Sequence, residues 1–104
     1  MKIIIDNGGT KLDWVVLGSD IVYTSNNINV FAPNDIILDQ ISNIFPAKIF
    51  KEKDIEIDFY TTGFNINTEK KIKHIFQTSF NLSSIHVFSD MLAASRALFN
   101  KKNG

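Results

Sequence analysis

Six consecutive residues, Asp6-Asn7-Gly8-Gly9-Thr10-Lys11, carry more potential chemistry than any other stretch of this chain. A carboxylate closing a β-branched run can hold a water of a hydrated Mg²⁺, an ion that favours carboxylate oxygen and keeps several waters. Two glycines beside it let backbone N–H groups approach a phosphate with no Cβ in the way. The Thr10 hydroxyl and the Lys11 ammonium add a donor and a positive charge. The plain alternative is a hairpin, because Asn-Gly is the strongest short hairpin signal and needs no ligand. A bare turn requires neither Asp6 nor the Thr10-Lys11 pair, and these tip the segment toward phosphate. A second carboxylate, Asp90, opens Asp90-Met91-Leu92-Ala93-Ala94. Alone it reads as a helix N-cap, although Ser89 can take that role and leave Asp90 facing a cleft.

The elements that must position these residues can be read from periodicity. Lys2 to Ile5, Leu12 to Leu17 and Ile21 to Thr24 are short apolar runs, separated by Asn7-Gly8-Gly9 and by Gly18-Ser19-Asp20. Turn signals at such close spacing predict a three-stranded antiparallel meander. From Asn34 the period changes: Ile37, Ile41 and Ile44, with Leu38 and Phe45, recur at helical spacing. Asn34 can cap that helix and Pro46 stops it. Ile55 to Tyr60 alternates apolar and acidic residues, which is strand period. Thr68 to Phe80 predicts a second amphipathic helix, with Ile72, Ile75, Phe76 and Phe80 on one face. Lys70, Lys71, Lys73 and His74 fall on or beside the other, a solvated face. Ile85 to Phe88 is a fifth strand and Met91 to Phe99 a third helix.

The resulting order, β-β-β-α-β-α-β-α, predicts an α/β fold: a mixed five-stranded sheet with helices on both faces, strands four and five parallel to strand one. That layout resembles the ribonuclease H-like fold, shared by nucleases and by each lobe of the actin-like sugar kinases. Fold alone does not choose between those chemistries.

Composition narrows the choice. With 104 residues the chain makes one domain, too small for two lobes. No apolar run is long enough for a membrane helix. The N-terminus lacks the apolar region and cleavage site of a signal peptide. No cysteine is present, which excludes a disulfide framework and thiolate metal sites and makes a reducing cytoplasm the default. Eleven basic side chains balance eleven acidic ones, so the footprint of a nucleic-acid binder is missing. His74 and His86 have no metal-ligand spacing, and Trp14, in an apolar strand, reads as core.

Asp6-Asn7-Gly8-Gly9-Thr10-Lys11-Leu12-Asp13-Trp14 resembles the phosphate-binding hairpin of the N-acetylglucosamine kinase family within the BadF/BadG/BcrA/BcrD ATPase group, part of the actin-like, hexokinase-like ATPase superfamily. Ser89 to Leu98 is similar to that family's segment in which an aspartate opens an alanine-rich helix. Asn27-Ile28-Asn29-Val30-Phe31 stands where the family often has Gly-x-Asn-Pro-Phe, and Tyr60-Thr61-Thr62-Gly63 where it has a glycine loop after strand four. Asn27 and Val30 depart from that pattern, as does Phe64 where bacterial relatives often carry cysteine.

The resemblance implies an ATP-dependent kinase, with Mg²⁺, that phosphorylates a hydroxyl of N-acetylglucosamine or a related hexosamine. Asp6, Gly8, Gly9, Thr10 and Lys11 would hold the nucleotide phosphates and the metal's water. Asp90 would be the general base that takes the proton of the attacking sugar hydroxyl. Asn29 would bind sugar hydroxyl or acetamide, since an amide both donates and accepts. Gly63 would allow close approach of substrate or serve simply as a turn residue, the turn being the simpler role. Residues 1–104 would form the N-terminal lobe, with the second phosphate loop and second lobe of the family absent. Such a lobe is expected to fold without turning over substrate, and its bared surface to favour self-association as a homodimer. Two other classes stay open. One is a nucleotide- or sugar-binding regulator, including the dehydratase-activating ATPases of the same group. The other is a ribonuclease H-like nuclease using Asp6 and Asp90, for which the loop from Tyr60 to Phe64 supplies no further acid.

Overall fold

The computed structural model describes residues 1–89. Asp90 and the expected helix Met91 to Phe99 lie outside the described residues. Within them the order is β1 (Lys2–Asn7), β2 (Lys11–Val16), β3 (Val22–Asn26), α1 (Asn34–Ile44), α2 (Ala47–Lys51), β4 (Ile55–Thr61), α3 (Ile66–Ser79) and β5 (Leu82–Phe88). The strands form one mixed sheet in the order β3-β2-β1-β4-β5. β1 pairs antiparallel with β2 and parallel with β4; β2–β3 is antiparallel and β4–β5 parallel.

Alternation along the strands gives the sheet two unlike faces. Ile3, Ile5, Leu12, Trp14, Ile57, Phe59, Ile85 and Val87 point to one side, where they share a core with Ile37 and Ile41 of α1, Ile49 of α2 and Ile72, Ile75 and Phe76 of α3. The other side carries Lys2, Asp6, Asp13, Asp58 and His86 by the same alternation, around a small cluster of Ile4, Val15 and Tyr60. There Lys2 pairs with Asp58 at 3.1 Å, which holds the lysine's pKa above its ordinary value. Trp14 is core as expected, at 3% exposure, and stacks on its cross-strand neighbour Tyr23.

Several boundaries differ from the periodic reading, each for a local reason. Pro33, not Asn34, is the N-cap of α1, with no side-chain cap, so Asn34 is simply its first helical residue. Pro46 ends α1 and also starts α2, a five-residue helix too short to show a period, which places Ile49 in the core. α3 begins two residues earlier than its apolar stripe because Asn65 and Thr68 form a reciprocal capping box. β1 and β4 run on into Asn7 and Thr61, both polar and each 1% exposed. β5 starts at Leu82, since the segment before Ile85 already pairs with β4.

Candidate functional site

β1 and β4 are parallel, so their carboxyl ends meet at one edge of the sheet, where open α/β sheets hold ligands. Three segments converge there: the β1–β2 hairpin, the loop after β3, and the loop after β4. A cleft of about 400 Å³ lies between them, lined by Gly9, Asn27 to Phe31, Thr62 and Gly63. The structure thus brings together Gly9, Asn29 and Gly63, three of the residues singled out from sequence.

Asn7 ties the three segments to one another. Its side-chain amide donates to the Ile28 carbonyl at 2.8 Å and to Thr61 Oγ1 at 3.0 Å. Its Oδ1 accepts from the Ile28 N–H at 2.8 Å. Asn27 adds a second tie, its Nδ2 reaching the carbonyls of Gly8 at 3.2 Å and Gly9 at 3.1 Å. Sequence reasoning missed both asparagines. Asn7-Gly8 read as a turn signal, yet Asn7 is the last residue of β1 and its side chain is buried. The turn is centred two residues later, on Gly9-Thr10, closed by Gly8 N–H to the Lys11 carbonyl at 2.9 Å. A type I′ Asn-Gly turn needs positive φ at both central residues, and no residue of this hairpin has it.

The two hairpin glycines therefore need another explanation. A Cβ on Gly8 would lie 3.1 Å from the Lys11 carbonyl oxygen, a tight contact that accounts for glycine there. A Cβ on Gly9 would meet nothing within 4 Å. Its backbone stands open to solvent at the cleft, as a cradle for an incoming ligand would.

Asp6 and Lys11 lie on the opposite side of the hairpin from the cleft, on the polar face of the sheet. Asp6 stands directly across from Asp13 in the antiparallel register. Burial pushes the Asp6 carboxyl above its ordinary value of 3.8; the charge of Asp13 adds to the rise and Lys11 opposes it. Asp6 Oδ1 is buried with no hydrogen-bond partner. Asp13 is better provided, accepting from Thr24 Oγ1 at 2.6 Å and lying 3.8 Å from Lys11 Nζ. Sequence reasoning gave Asp13 no role; the register makes it the second carboxylate beside Asp6. Two adjacent carboxylates, one with an orphaned oxygen, suit a hydrated divalent cation bound partly through water. Among the described residues no group of three or more His, Asp or Glu side chains that could hold a metal occurs. Thr10 is exposed at the turn.

On the cleft side, Asn29 is exposed, and its Oδ1 accepts from the Phe31 N–H at 3.0 Å. This local turn occupies the acceptor and leaves the Nδ2 donor for a ligand. Gly63 is shaped by its own fold: its φ is 74°, and a Cβ would sit 2.8 Å from Cε2 of Phe31. The turn role therefore accounts for this glycine, and the Phe31 ring occupies the space a side chain would take. Phe31 itself is 65% exposed. Lys71, expected on a solvated face, is half-buried and donates instead to the carbonyls of Val30 and Ala32. Lys73, also half-buried, pairs instead with Glu69 one helical turn away at 2.9 Å.

The chain matches no protein-family model, and no curated protein is significantly similar to it. Among the described residues no helix is long and apolar enough to cross a membrane.

Proposed function

We propose that this chain is the phosphate- and sugar-binding lobe of an ATP-dependent amino-sugar kinase of ribonuclease H-like fold, working in the cytoplasm. The observation that carries the reading is the convergence of Gly9, Asn29 and Gly63 on one cleft at the carboxyl edge of β1 and β4, with the Asp6–Asp13 pair behind the same hairpin. The sheet order, with β4 and β5 parallel to β1, supports the fold assignment.

In this reading the hairpin separates two ligands. Nucleotide phosphates lie against the backbone of Gly8 and Gly9, with Thr10 and Lys11 as donors. Asp6, with Asp13 beside it, holds a water of Mg²⁺, whose charge would offset that building up on the transferring phosphoryl group. The sugar occupies the cleft, its hydroxyl or acetamide oxygen accepting from Asn29 Nδ2. Asp90, two residues beyond the end of β5, serves as general base toward the attacking hydroxyl. Water exclusion falls to a second lobe, so the 104 residues bind without turnover.

The test is titration of the isotopically labelled chain with Mg²⁺·ATP and, separately, with N-acetylglucosamine. Nucleotide is expected to shift the amide resonances of Gly8 to Lys11, and sugar those of Asn29 to Phe31. Shifts at neither segment would sink the assignment. In a complete two-lobed protein, Asp90→Asn should abolish sugar-dependent ADP release while leaving sugar binding nearly intact.

A further inference from the structure

The loop that carries Asn29 and Phe31 is held by a residue from a distant part of the chain. Asn29 closes a tight turn on itself, its Oδ1 accepting from the Phe31 N–H and its carbonyl from the Ala32 N–H, each at 3.0 Å. Val30 is buried beneath the turn, but Asn29 and Phe31 on either side of it are exposed, and exposed turn residues open where little else opposes the entropy gained. Here the two carbonyls that flank Phe31 both face α3, and the Lys71 ammonium meets them, Val30 O at 3.3 Å and Ala32 O more closely. These groups are 41 and 39 residues away in sequence. No described carboxylate pairs with Lys71. Its charge is therefore spent on two peptide oxygens, and charge-assisted hydrogen bonds of this kind are roughly twice as strong as neutral ones.

We infer that Lys71 is a positioning residue for the sugar site, strapping the Asn29–Ala32 turn to α3 so that the Asn29 amide and the Phe31 ring stand ready in the cleft. The Val30 carbonyl belongs to the peptide entering Phe31 and the Ala32 carbonyl to the peptide that follows Ala32, so the strap brackets Phe31, whose ring lies against Gly63 with no room for a Cβ between them. The Val30 carbonyl lies one residue beyond Asn29, so the same strap restrains the backbone from which Asn29 Nδ2 projects. Without the strap the turn must be ordered at the moment of binding, and affinity falls by the fraction of time it is disordered. This inference rests on the sugar-binding reading above only for the identity of the ligand. The strap itself is a feature of the free protein.

Lys71→Met keeps the aliphatic stem and removes the donor; Lys71→Arg restores a cationic donor. The full chain is examined in both forms by amide hydrogen exchange and by titration with N-acetylglucosamine. In Lys71→Met the Phe31 and Ala32 amides should exchange about tenfold faster, the core strand amide of Ile57 should not change, and the melting temperature should hold within about 3 °C. Sugar affinity should fall about tenfold and recover largely in Lys71→Arg. Unchanged exchange at Phe31 and Ala32 overturns the strap whatever the ligand does. Faster exchange with unchanged affinity overturns the positioning role. If the native chain binds no N-acetylglucosamine, the sugar reading fails, and the positioning role at this sugar site is overturned with it. Accelerated exchange would then still establish the strap itself, so the two failures are told apart.

Discussion

Two glycine-bearing loops meet at the same cleft, and the fold explains one of them far better than the other. Gly63, after β4, has a left-handed φ of 74° and an aromatic ring where its side chain would be. Its identity follows from the chain's own geometry. Gly9, in the β1–β2 hairpin, has no left-handed φ and open space around the missing Cβ. Nothing among the described neighbours asks for glycine there, and the phosphate cradle proposed above would supply the reason. A glycine enforced by conformation reports on folding; one that the fold does not need points to a ligand.

Replacing Asn7 should have the largest effect, because Asn7 holds the two loops to one frame. Asn7→Ala orphans both the N–H and the C=O of Ile28 and removes the bond to Thr61. Each buried group left unpaired costs about 1–3 kcal/mol, so a loss of about 3 kcal/mol is expected in urea unfolding. A loss under about 1 kcal/mol would mean that water replaces the amide and that the hairpin and the Asn29 loop are not tied through it.

Gly63→Ala comes next. The left-handed backbone costs an L-residue about 1–2 kcal/mol, and the Phe31 ring must swing away from the added methyl. The variant should be less stable by that amount and should lose sugar-induced shifts at Phe31. Gly9→Ala makes the contrast: stability should stay within about 0.5 kcal/mol, while binding of Mg²⁺·ATP weakens because the methyl fills the cradle. If Gly9→Ala were as destabilising as Gly63→Ala, the distinction between the two glycines would collapse, and the phosphate reading with it.

Much of the fold was legible because it is written in short-range patterns. Alternation in Ile55 to Tyr60 and the helical spacing of Ile37, Ile41, Ile72 and Ile75 report burial directly, and the mixed sheet follows from the order of elements. The site was legible only where residue type implies chemistry, as with Asp6, Gly9 and Asn29. Asn7 was hidden behind a stronger local signal, since Asn-Gly suggests a turn while the partner that fixes its role lies 21 residues on. Lys71 was hidden for the opposite reason. A lysine among lysines on an amphipathic helix looks solvated until the tertiary fold brings carbonyls to it. Asp13 became a partner of Asp6 only once the hairpin register was known, and that register depends on a turn centred on Gly9-Thr10 instead of Asn7-Gly8.

The smallest expected effect bears on the far side of the hairpin. Asp6 is partly buried, faces Asp13 and has its pKa raised, so the folded state binds its proton more tightly than the unfolded chain does. Folding is then favoured most below the ordinary carboxylate value of 3.8 and loses that contribution as pH rises through the higher folded value. At neutral pH the ionised Asp6 is a burden on the fold. Asp6→Asn should therefore melt at a slightly higher temperature than the native chain at pH 7, with the difference vanishing as pH is lowered below about 3.8. A cation bound at Asp6 and Asp13 removes the same burden by another route. Millimolar Mg²⁺ should raise the melting temperature of the native chain at pH 7 and leave that of Asp6→Asn nearly unmoved. Equal shifts in both proteins would place the ion elsewhere. The orphaned Asp6 oxygen would then have to be explained by the fold alone, as Gly63 is.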